Sequence, residues 1–63
     1  MINQYDKVKL ISGKYAIIVE VLESNKAYIA DIEISEGDYE TETIFQPDIA
    51  ARIVEVEEPV LAV

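Results

Sequence analysis

The chain has 63 residues, 51% of them hydrophobic, a formal net charge of −8, and neither cysteine nor histidine. That length makes one small domain, which buries only ~60% of the surface that its unfolded chain exposes. Disulfides and a zinc held by cysteine or histidine are excluded as staples, so stability has to come from packing or from a second copy.

The N-terminal residues Met1, Ile2, Asn3, Gln4, Tyr5 and Asp6 carry no basic region and no long apolar run. This predicts a cytoplasmic protein with no signal peptide and no membrane span. Residues 5–11 then alternate, with Asp6, Val8 and Leu10 on one face and Lys7 and Lys9 on the other. That pattern predicts a half-buried first strand with its lysines in water. Ser12, Gly13 and Lys14 form a turn, Gly13 being free to take positive φ.

Residues 15–22 are the longest β-rich run. Ile17, Ile18, Val19 and Val21 are β-branched, and their stiff χ1 angles favour a pleated surface. At period two, Tyr15, Ile17, Val19 and Val21 share one face, and Ala16, Ile18, Glu20 and Leu22 the other. A strand apolar on both faces reads as the central strand of a bent barrel, shared between two sheets, with Tyr15 in the core.

Residues 23–26 make a polar hairpin loop. Residues 27–34 predict a third strand, with Tyr28, Ala30, Ile32 and Ile34 inward and Asp31 and Glu33 outward. A turn at Gly37 leads to a fourth strand over residues 39–45, in which either Ile44 or Phe45 faces the core, or both through a bulge. Pro47 ends that strand, because it cannot donate to a ladder. Residues 46–50 fit a single 3₁₀ turn plugged by Ile49. Residues 51–57 form a fifth strand stopped by Pro59. The apolar tail 59–63 is either an edge strand or a contact for a homodimer.

The fold expected is therefore all-β: a small five-stranded SH3-like barrel over residues 1–58, with one 3₁₀ turn before the last strand. Tyr5, Asp6, Val8 and Leu10, followed by Gly13, Ala16, Ile18, Val19, Glu20 and Val21, carry a resemblance. Residues 25–32, Gly37-Asp38 and Pro47-Asp48-Ile49 continue it. Together they resemble a bacterial family of small uncharacterised SH3-like barrels, from residue 5 to about residue 57. The first hairpin is also similar to the KOW motif of transcription and ribosomal proteins. This chain has Ala16 where both patterns carry glycine. The resemblance implies a fold and brings no established activity, cofactor or catalytic residue. By analogy with KOW-type barrels, Lys7, Lys9, Lys14 and Lys26 would be the residues to touch RNA.

Charge decides among the functional readings. Residues 1–26 carry four lysines against Asp6, Glu20 and Glu23, while residues 27–63 set Arg52 against ten carboxylates. Such a chain repels phosphate backbones and anionic membranes, so nucleic acid and membrane are poor partners and a basic protein is the favoured one. Without histidine or cysteine, and with its three serines in turns, the chain also lacks the usual nucleophilic triads. A barrel this small hardly accommodates a catalytic pocket of ~300 Å³, so no enzymatic role and no cofactor are expected.

The sharpest feature is an acidic stretch without a basic residue: Asp31, Glu33, Glu36, Asp38, Glu40 and Glu42. Pairing across Gly37 would set Asp31 and Glu33 beside Glu40 and Glu42 on one outer face, where like charges repel. A solvated face is the plainest reading, a docking surface for a basic protein with Tyr39 at its edge is the second, and a calcium site is the third. An acidic inhibitor or immunity-type protein that blocks a basic site by imitating nucleic-acid charge is the alternative function.

Overall fold

The computed structural model describes residues 1–54. Five strands form where β-branched and alternating residues lie between turns: β1 (Lys7–Leu10), β2 (Tyr15–Glu23), β3 (Ala27–Ser35), β4 (Asp38–Phe45) and β5 (Ile49–Ile53). A 3₁₀ turn, Gln46–Asp48, separates the last two, and no α-helix occurs among the described residues. The strands make one antiparallel sheet in the order β4-β3-β2-β1-β5. Barrel closure, expected from the sequence, is not found. β4 and β5 are the outer strands, and no ladder joins them among the described residues. β2 accordingly lies in one sheet instead of contributing to two. The end of the expected fifth strand and the tail 59–63 lie outside the described residues.

The core sits on one face of this sheet. Val8 pairs with Ala16, Ala16 with Ile32, Ile18 with Ala30, and Tyr28 with Ile44, so all of these project to the same side. They are buried together with Leu10 and Ile2. Among the described residues no helix or second sheet covers them, so within that part of the chain their burial comes from the sheet curling over its own inner face. Ile2 joins that cover from a segment tied to β2, where Tyr5 N–H donates to the Ile18 carbonyl and Ile18 N–H to that of Asp6.

Of the two faces of β2, only one is buried, and it is not the one that carries Tyr15, which was expected in the core. Tyr15 and Ile17 stand on the outer face, 40% and 39% exposed, while Ala16 and Ile18 face inward. The cause lies in β1. Its alternating lysines force Val8 inward, and the Gly13 turn places Ala16 opposite Val8. Two register irregularities, between Ile18 and Glu20 and between Val21 and Glu23, then let the strand skip a residue each time. Val21 thereby packs against the core and Glu20 turns out to solvent.

Elsewhere the alternation holds with one exception. Tyr28, Ala30 and Ile32 are buried as expected, but Ile34 is exposed beside an irregularity between Glu33 and Ser35. Tyr28 is fully enclosed, and its hydroxyl donates to Gln46 Oε1. Ile44 is the inward residue of its pair, leaving Phe45 55% exposed. Phe45 N–H donates to Asp48 Oδ2 at 2.9 Å, which fastens the 3₁₀ turn to the end of β4. Ile49 packs against the core as the plug, though as the first residue of β5.

Candidate partner-binding surface

The acidic residues belong to the β3–β4 hairpin. Its turn depends on Gly37, whose φ of +83° suits a residue without Cβ. The Ser35 hydroxyl donates to Asp38 Oδ2 at 2.9 Å, closing the turn from the side.

Register divides the carboxylates between the two faces of the hairpin, contrary to the single outer face expected. Asp31 pairs with Thr41 and Glu33 with Tyr39, whereas Glu40 lies opposite Ile32 and Glu42 opposite Ala30. Asp31 and Glu33 therefore share the outer face with Tyr39 and Thr41. Glu40 and Glu42 project toward the side that holds the core, and remain exposed because β4 is an outer strand. The expected repulsion across the ladder is replaced by donor–acceptor pairs. The Thr41 hydroxyl donates to Asp31 Oδ1, and the Tyr39 hydroxyl to Glu33 Oε2 at 3.3 Å. The Glu33 carboxylate, first through its charge and then through this hydrogen bond, raises the Tyr39 pKa above the ordinary phenol value.

Two groups of acids thus differ in availability. Asp31 and Glu33 already accept hydrogen bonds from their own sheet, and Asp38 accepts one from Ser35 in the turn. Glu36, Asp38, Glu40 and Glu42 are exposed, and no cation pairs with them among the described residues. The ion pairs among those residues lie elsewhere: Lys26 with Glu23 at 3.2 Å, and Arg52 with Asp6 at 3.9 Å. No three carboxylates converge in a way that would hold a metal ion among the described residues.

The outer face also carries residues whose importance the sequence pattern hid. Lys7 and Lys9 place their ammonium groups 5.4 and 5.9 Å from the centre of the Tyr15 ring. Lys7, Tyr15, Ile17, Glu33 and Tyr39 line a shallow depression of about 50 Å³. That is far below the ~300 Å³ at which small-molecule sites begin. The signal for this cluster is the alternation of Lys7 and Lys9 ahead of a strand that starts in tyrosine, and the apolar residues on both faces of that strand hide it.

No family model matches the chain, and no curated protein or solved structure matches it either.

Proposed function

We propose that this chain is a non-enzymatic protein-interaction module that docks a basic protein on its β3–β4 hairpin. The observation that carries this reading is the set Glu36, Asp38, Glu40 and Glu42: four exposed carboxylates on one hairpin, unpaired with any cation among the described residues. Tyr39, 54% exposed, adds an amphipathic contact at the hairpin's edge. Complementary charge steers association and selects partners more than it adds affinity. One antiparallel sheet of five strands, with a 3₁₀ turn before the last, supports an SH3-like reading of the architecture.

The test is capture of partners from the source cell in steps of increasing salt, with the Glu40→Lys/Glu42→Lys variant in parallel. A basic protein held at low salt, released at high salt and not held by the variant supports the reading. Retention unchanged by the variant removes it. Displacement of the partner by DNA or RNA would instead favour imitation of nucleic-acid charge.

A further inference from the structure

β4 is an outer strand of eight residues, and one row of its backbone N–H and C=O groups has no strand partner among the described residues. Such an edge is a template for an added strand unless something blocks it. Bulges, proline and lysine are among the usual blocks, and β4 contains neither proline nor lysine. Its ladder with β3 runs unbroken from Phe45 to Tyr39. One side of the edge offers Tyr39, Thr41, Thr43 and Phe45, which are β-branched or aromatic; the other offers Glu40 and Glu42.

These two sides specify an occupant. A strand laid along β4 sets alternate residues beside the glutamates and the others beside the tyrosine and threonines. A second copy of β4 is a poorer occupant in the register that pairs the whole strand: antiparallel pairing centred on Thr41 opposes Glu40 with Glu42, and like charges directly opposite destabilise a ladder. We infer that β4 binds an extended segment of another protein by strand addition. That segment carries lysine or arginine at every second position and β-branched or aromatic residues between them. The inference rests on the docking reading above and adds its geometry, namely main-chain pairing for affinity and the two glutamates for register and sequence preference.

The probe is a blocked heptapeptide that alternates lysine with valine and threonine. Two further versions have alternate backbone amides N-methylated, one in each phase. In a strand, successive N–H groups point to opposite edges, so only one phase places its methyl groups against β4. Titration into the full chain at low salt should show the parent and one methylated phase binding alike, and the other phase weaker by about tenfold or more. Alternate β4 amides should gain hydrogen-exchange protection in the bound state. Equal binding by both methylated phases, without that protection, overturns strand addition and leaves charge-driven docking standing. No binding by the parent peptide also overturns the inference. The salt-stepped capture with Glu40→Lys/Glu42→Lys tests the docking reading separately.

Discussion

Tyr39 sits directly opposite Glu33 in the β3–β4 ladder and donates its hydroxyl to that carboxylate at 3.3 Å. The bond exists only with the phenol protonated. Ionised Tyr39 would place a second negative charge against Glu33, so its pKa is raised from 10.0. A phenol with a raised folded-state pKa contributes stability that is present below its unfolded value and is lost as pH rises through the folded value. The window therefore lies above pH 10. Site-resolved NMR titration should show Tyr39 ionising above that value, and Glu33→Gln should bring it back down. The ring is exposed, so the effect on global stability should be small and appear chiefly in this titration.

The phase of β2 is tested by two adjacent residues. Ile18 is fully buried at the centre of the core, and Ile18→Ala should cost about 2–5 kcal/mol. A domain of this size has only about 3–9 kcal/mol in total, so that variant should lose a large share of its stability. Ile17→Ala, on the outer face, should cost less than about 1 kcal/mol. Urea denaturation of both variants checks the pair, and equal costs at the two positions would contradict the phase found in the sheet.

Glu40 and Glu42 oppose each other when two β4 edges pair antiparallel about Thr41, and that repulsion should disfavour self-pairing. Replacing both with valine leaves an eight-residue edge with β-branched or aromatic side chains at most positions, the pattern that promotes edge-to-edge association. Glu40→Val/Glu42→Val should shift sedimentation toward dimers or larger species while retaining a β-rich circular dichroism spectrum. Glu40→Gln/Glu42→Gln should fall between that variant and the parent.

Strand positions were legible because polar turns and proline punctuate the chain: Gly13 and Gly37 both take positive φ, and Pro47 is the second residue of the 3₁₀ turn that ends β4. Alternation of Lys7 and Lys9 with Val8 and Leu10 likewise fixed the inner face of β1. The phase of β2 was not legible, because Tyr15, Ala16, Ile17 and Ile18 offer apolar residues to both sides. Only pairing with β1 breaks that tie. The placement of the acids failed for a related reason. Pairing across Gly37 suggests one face for Asp31, Glu33, Glu40 and Glu42, but a ladder pairing Asp31 with Thr41 puts odd-numbered residues of both strands together and sends the even-numbered glutamates to the other side. Closure could not be read from alternation, since whether β4 and β5 meet depends on sheet curvature.

The most direct measurement is the dissociation constant of the captured basic partner for the parent chain and for Glu40→Lys/Glu42→Lys at one fixed salt concentration. Docking on the hairpin predicts weakening by about tenfold or more, the equivalent of ~1.4 kcal/mol, with the parent's affinity falling as salt is raised. A dissociation constant unchanged by both the charge reversal and the salt would contradict it.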